Sequence, residues 1–495
     1  MGSGMRLGRE SLLTFSGIVV NAGLAFVVTW LIGRGLGASA TGEFFLLTSW
    51  FMIATSVVGM GADTGLVRAL SRQRALGDDD HVRPTLRAAL VPVVATGALL
   101  SAAILLAAPL LAEGLGLDAA GVDTLRVLAI ALVPASLVGV LLGGSRGLGR
   151  IATYTIIQNL LIPVLRLVAV AAVVLWVGSA WAAVWAWAIP LLLAAVAAAL
   201  ALRRQVRSVA SEPSSGNAVD IREQRRAFWA FSLPRGGAVI LERALDWADV
   251  LLVIALLGPA AGGVYGVVTR IVQAGSMLEA AMRIVLGPRL SAAIAQGKHD
   301  EAQGLFRRVT SLLIVSSWPF YIAIAVFAKD LLGLFGEEFV VGSTALVILA
   351  VAIGLRNTGG ALQTVLLMAG RSTAQLGNKT VQLVVLLLMT IVLVPIWGLA
   401  GAAIAYATGV MVDTLLAGFQ VSRSLGFRAS AREVLRAAVL PTVVVLGGAL
   451  AVSSALWDAP SFWRLTGLIA ILAAYAAVLL LVMRRGGGRL GGARG

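Results

Sequence analysis

The chain has no cysteine and only two histidines among its 495 residues. The first absence rules out a disulfide framework, a thiolate metal centre and a thiol nucleophile. The second leaves His81 and His299 far apart in polar stretches, with no partner for an imidazole metal site or catalytic dyad. Charge is scarce too: Asp, Glu, Lys and Arg make up 13% of the chain, where a soluble domain carries about 25%. A polar domain able to display a basic surface is missing, so the net charge of +15 does not point to nucleic acid. No G-x-x-x-x-G-K-[ST] occurs, which excludes ATP hydrolysis through a P-loop. The outward loops are short, with Glu337-Glu338 and nearby Asp330 as their acidic cluster, so a catalytic domain has nowhere to sit. An enzyme, a cofactor and a metal are therefore not expected.

What is abundant is apolar sequence, 59% of the residues. Runs long enough to cross about 30 Å of hydrocarbon fall near 11–33, 43–62, 85–112, 122–142, 154–177, 179–202, 228–257, 264–288, 309–328, 343–369, 380–396, 398–422, 437–456 and 465–483. The fold class predicted is an all-α membrane protein of about fourteen transmembrane helices. The short basic start, MGSGMRLGRE, precedes a run too long for a cleavable signal peptide and lacking its small-residue end. Most of the 39 Lys and Arg fall on one set of connections, whereas the opposite set carries Arg34, Lys329 and Arg464. The positive-inside rule then puts both termini in the cytoplasm, and the expected location is the bacterial inner (plasma) membrane. Trp176, Trp181, Trp397, Trp457 and Trp463 cluster at the predicted outer ends, as interfacial aromatics do.

The longest polar break, 203–226, mixes charges with Ser, Gly and Pro and reads as a flexible cytoplasmic linker. It divides an N-terminal lobe, 1–202, from a C-terminal lobe, 227–423, with accessory helices and a basic tail at 424–495. LGASATGEF at 36–44 aligns with LGPAAGGVY at 257–265, pairing Gly37 with Gly258, Gly42 with Gly263 and Phe44 with Tyr265. The span limits carry over by the same offset. Six is an even number, so both lobes enter from the cytoplasm as a parallel repeat.

Seven arginines remain inside predicted spans: Arg126, Arg166, Arg235, Arg243, Arg270, Arg283 and Arg356. Facing lipid, they would cost on the order of 20 kcal/mol together, so most must meet a polar cavity or a partner. The seventh span sets Arg235, Glu242, Asp246 and Asp249 along one helical face. Arg243 with Asp246, and Arg283 with Glu279, have the spacing of ion pairs within a helix. Such pairs serve either ion coupling or simple structural cohesion. Arg126 and Arg270 lie toward outer ends, where their side chains can snorkel. Arg166, Arg235 and Arg356 have no evident acidic neighbour in their own helices and are the better candidates to meet phosphate or carboxylate. Pro234, followed by Arg235-Gly236-Gly237, predicts an irregular turn and a hinge.

These residues carry a resemblance. GRGLGASATGEFFLLTSWFMIATSVVGMGADTGLVRAL from Gly33 resembles the opening of the polysaccharide-transport family, oligosaccharide-lipid flippases of the multidrug/oligosaccharidyl-lipid/polysaccharide exporter superfamily. DVLLVIALLGPAAGGVYGVVTRI from Asp249, LFGEEFVVGSTALVILA at 334–350 and VPIWGLAGAAIAYATG at 394–409 are similar to later parts of it. The resemblance spans roughly 10–425 and implies two six-helix lobes around a central cavity. It also implies movement of polyprenyl-diphosphate-linked oligosaccharide, the polysaccharide repeat unit, from the cytoplasmic to the outer leaflet by alternating access. In related flippases cavity arginines meet the diphosphate, a role suited to Arg166, Arg235 and Arg356, with Arg270 and Arg283 as further members of a cationic cavity. Membrane lipids, a polysaccharide polymerase and glycosyltransferases are the implied partners. The first span lacks a charge in its middle, a departure from the lipid II flippases. The remaining alternatives are a cation-coupled drug antiporter of the same superfamily, whose cavity should be net acidic, and a membrane glycosyltransferase.

Overall fold

The computed structural model describes residues 2–209, 218–276, 290, 293, 296, 298–360, 362–369, 371–427, 430–456 and 459–487. Among these the ordered structure is helical, without strands. In chain order the helices are α1 (2–36) and α2 (38–59), parted by Gly37; α3 (Ala62–Leu76), α4 (Val82–Gly114), α5 (Ala119–Gly147), α6 (Ile151–Trp176), α7 (Ala180–Ser208) and α8 (Ala218–Leu257). They continue as α9 (Pro259–Ala274), α10 (His299–Val326), α11 (Glu337–Thr358), α12 (Leu362–Met368), α13 (372–397) and α14 (399–425), the last two parted by Gly398, then α15 (Ala431–Ala455) and α16 (Ser461–Gly487). Ten helical stretches among the described residues are long and apolar enough to cross a membrane. Two of them hold two crossings each. With the more polar α8 and the start of the eighth crossing in α9, the arrangement agrees with the fourteen expected spans.

Residues on the perimeter confirm which solvent this surface meets. Leu99, Leu106, Leu110, Leu175, Leu388 and Leu415 all expose most of their side chains, a density of apolar surface that water does not tolerate. Trp176, Trp397 and Trp463 are exposed at the helix ends, as interfacial anchoring requires.

Two compact units form, Met1–Gly263 and Val264–Gly495. In the first, α5 is the most enclosed helix, packed among α3, α4 and α7, with α1 against α6 and α2 against α8. In the second, α10 packs on α11 and on α15, and α11 on the α13–α14 pair. Phe306, Val365, Leu366, Ala417, Val421 and Phe427 fill one of its cores. Ala449 and Leu468 of the last two helices close a smaller one with Ala323 and Phe327.

The polar stretch 203–226, expected as a flexible linker, is helical at both of its ends. Helix α7 carries on through it to Ser208 and α8 starts at Ala218, ten residues before the apolar run. Arg, Gln and Glu are good helix formers, so both helices extend beyond the hydrocarbon into water. Residues 210–217 lie outside the described set.

The aligned corners behave as a repeat should. Gly37 and Gly258 break their helices with nearly the same backbone, φ 85° and φ 88°, a left-handed conformation that favours glycine. Within the first unit the two corners touch reciprocally. A Cβ on Gly42 would lie 1.8 Å from the Pro259 carbonyl oxygen, and one on Gly263 would lie 2.0 Å from that of Ala38. Residues 38 and 259 are themselves related by the repeat, so the seam has an approximate two-fold symmetry.

Candidate functional site

Charges within the spans are the natural place to seek chemistry, because each must be compensated locally. On α8, Arg235 is not free of acidic neighbours as expected: its Nη1 lies 3.4 Å from Glu242 Oε1. Seven residues make two helical turns, about 10.5 Å of rise, and two long side chains on one face bridge that distance. A search limited to spacings of three and four misses it. Both partners are well exposed, 39% and 55%, so the pair is loose and its guanidinium remains accessible to a competing anion. Arg243 pairs with Asp246 at 3.5 Å, as the spacing predicted. Asp249 departs from the others: it is buried, and its Oδ1 accepts the backbone N–H of Val250 at 2.8 Å. Leu245, Trp247, Val250, Val253 and Ile254 around it are buried as well, whereas Leu256 and Leu257 at the end of α8 are exposed.

Helix α8 runs through Pro234 without interruption, so the expected irregular turn is absent. Gly236 instead allows a close crossing. A Cβ there would stand 2.5 Å from the Met60 carbonyl carbon, and one on Gly61 would stand 2.6 Å from the Gly236 nitrogen. Gly237 faces open space.

Arg166, on α6, has no carboxylate partner among the described residues. Its guanidinium lies 3.8 Å from the centre of the Trp187 ring, and its Nε donates to the Trp187 carbonyl at 2.9 Å. Trp187 is wedged edge-on against Phe44 and Phe51 and lies just before the helical break ahead of Pro190. The cation is stabilised by an aromatic face and a backbone acceptor. Arg126 bonds Asp123 at 3.0 Å. In the second unit Arg270 donates to Gln273 at 2.7 Å, and Arg356 lies half-buried in the last turn of α11. Glu279 and Arg283 lie outside the described residues.

One cluster escaped the sequence reading. Lys379, grouped there with an inward connection, is helical in α13, and its Nζ lies 2.9 Å from Asp413 Oδ2 on α14. Gln363 donates to Asp413 Oδ1 at 2.9 Å, and Lys379 also donates to Gln382 at 2.9 Å. Asn378 and Gln420 exchange two amide bonds alongside. The signal was present: Asp413 is the one acidic residue in the run 398–422, and a carboxylate inside a span is a functional candidate by default. Among the described residues no His, Cys, Asp and Glu grouping could hold a metal ion.

Comparison with known proteins places this architecture. A family model described as polysaccharide biosynthesis protein matches residues 7–294, and the MatE model matches 234–397. The probable low-salt glycan biosynthesis flippase of Haloferax volcanii is 24% identical over 83% of this chain and 83% of its own length. An inward-facing multidrug resistance MATE transporter superposes with a TM-score of 0.71 at 17% identity, covering 84% of this chain and 98% of that one. The lipid II flippase MurJ in an inward closed conformation gives 0.63 at 10% identity, covering 96% and 99%. With the polysaccharide biosynthesis model spanning more than half its length, the chain belongs to that family, within the multidrug/oligosaccharidyl-lipid/polysaccharide exporter superfamily.

Proposed function

We propose that this protein is a flippase that carries a polyprenyl-diphosphate-linked oligosaccharide from the cytoplasmic to the outer leaflet of the plasma membrane by alternating access. Lobes 1–202 and 227–423 rock about the 203–226 connector, and both termini stay cytoplasmic. The diphosphate and sugars enter a cationic cavity while the polyprenyl tail remains in lipid. Arg235 and Arg356 are the first contacts of the diphosphate, helped by Arg166, Arg270 and Arg283. Glu242, Arg243, Asp246, Asp249 and Glu279 serve as ion pairs or coupling groups, and Pro234 with Gly236 and Gly237 gives the pivot. A polymerase and glycosyltransferases of the same glycan route are its expected neighbours. An inside-negative potential favours outward movement of an anion by about 2.3 kcal/mol per charge per 100 mV, so nucleotide hydrolysis is not required.

The observation that carries this reading is the loose, exposed Arg235–Glu242 pair within a membrane helix. It offers a guanidinium that an incoming diphosphate, with its higher charge density, takes over from a single carboxylate. The glycan flippase named among the relatives supports the substrate class. In vesicles reconstituted with purified protein and polyprenyl-diphosphate oligosaccharide, Arg235→Ala and Arg356→Ala should each abolish translocation at normal expression. Unchanged transport in both variants refutes the cationic site. Cation-dependent dye efflux without lipid translocation would favour the antiporter reading instead.

A further inference from the structure

A second basic feature lies in the first unit, among arginines that the substrate reading does not use. Helices α4 and α7 both pack on α5 and leave between them a cleft of about 400 Å³. Arg83 and Arg87, one turn apart, line it from α4; Arg203 and Arg207, also one turn apart, line it from α7. Its floor is apolar, with Leu86, Leu90, Leu141 and Leu202, and no acidic side chain lines it. None of the four arginines forms an ion pair with a described residue. Like charges one turn apart repel, and Arg83 also stands in the first turn of α4, where the helix dipole is already positive. Arg87, Arg203 and Arg207 are exposed and Arg83 half-buried, so the four guanidiniums are open to an approaching anion, which relieves their mutual repulsion.

The rest of the cleft says which anion. A free phosphate needs no leucine floor. From the arginines, each helix carries its stripe onward into the bilayer: Leu90 and Val94 follow Arg87 on α4, and Val196 and Leu192 lie on the same face of α7 as Arg203. Val94, Val196 and Leu192 are exposed, so acyl chains can lie along them. Two pairs of guanidiniums over an apolar groove match two phosphates with lipid tails.

We propose that the α4–α7 cleft is a headgroup site for an anionic phospholipid with two phosphates, of the cardiolipin class, drawn from the inner leaflet. The site is separate from substrate binding and rests on the inward assignment of these helix ends. Native mass spectrometry of the full chain in detergent, titrated with cardiolipin, phosphatidylglycerol, phosphatidylcholine or inorganic pyrophosphate, tests it. Cardiolipin should bind in preference to the other lipids. The R83Q/R87Q/R203Q/R207Q variant should lose that binding by about a hundredfold or more. The double variant R87Q/R203Q should lose part of it, which keeps the test valid should the fourfold variant not fold. Removing four other inward charges, R72Q/R204Q/R222Q/R226Q, should change it little. Equal cardiolipin binding by wild type and the cleft variants overturns the proposal. So does pyrophosphate that displaces the lipid at equal concentration, because the cleft would then be a plain anion site. Lipid translocation measured in parallel separates this site from the transport reading, since either can fail alone.

Discussion

Replacing Asp413 by alanine removes the centre of the polar cluster between α13 and α14. In the native protein its carboxylate is 4% exposed and holds the Lys379 ammonium and the Gln363 amide, each at 2.9 Å. The variant leaves an ammonium with one remaining amide partner, Gln382, and a glutamine whose Oε1 already lacks a partner. Breaking a fully buried pair costs about 3–5 kcal/mol. Lys379 keeps 27% of its side chain exposed, and water reaching it should reduce the loss to about 2–3 kcal/mol. Removing both charges, as Lys379→Met with Asp413→Leu, should restore most of the stability, because a well-packed apolar pair replaces a desolvated ionic one. Unfolding of the purified chain in mixed micelles, for wild type, both single variants and the double, gives the coupling energy. A value of about 1.5 kcal/mol or more is expected. Additive single effects, with coupling under about 0.5 kcal/mol, would show that the pair is not energetically joined.

The corner seam should tolerate no side chain. Gly42→Val or Gly263→Val places atoms where backbone oxygens already sit and should destabilise the chain by about 1–3 kcal/mol, read as a lowered Tm. Gly139→Ala, which meets open space, should leave Tm unchanged or slightly raised. Arg464 of α16 bonds the buried Asp330 at 2.9 Å; Arg464→Met should cost about 2 kcal/mol and raise hydrogen exchange across 461–479 while α5 stays protected. Arg166→Lys keeps the charge but loses the stacked guanidinium plane over Trp187, so a loss of about 1 kcal/mol is expected in the same unfolding assay.

Apolar run length was enough to find the spans, since hydrocarbon thickness is a hard constraint that a single sequence reports directly. Even the breaks at Gly178 and Gly398 were visible, and both have the positive φ that such corners demand. The duplicated corners were legible because glycine there is a backbone requirement, expressed at fixed positions in both halves. Pairing between helices was not legible. Lys379 and Asp413 meet only because α13 and α14 fold back at Gly398, and Arg166 finds a carbonyl and an indole on α7 that no spacing rule connects to it. The helical ends of the stretch 203–226, up to Ser208 and from Ala218, were missed for a different reason: Ser, Gly and Pro in its middle masked the helix-forming residues on either side.

Helix α8 has 40 residues and therefore a length of about 60 Å. Its contact with the Met60–Gly61 turn falls at Gly236, close to the midpoint. The helix is gripped at other points along its length: Trp229 donates to the Ala88 carbonyl, Phe231 carries the Arg68 guanidinium, Trp247 lies against Phe45, and just past its end Pro259 abuts Gly42. A stiff rod clasped by three neighbours cannot shift alone, so any tilt of α8 has to be shared by α2, α3 and α4.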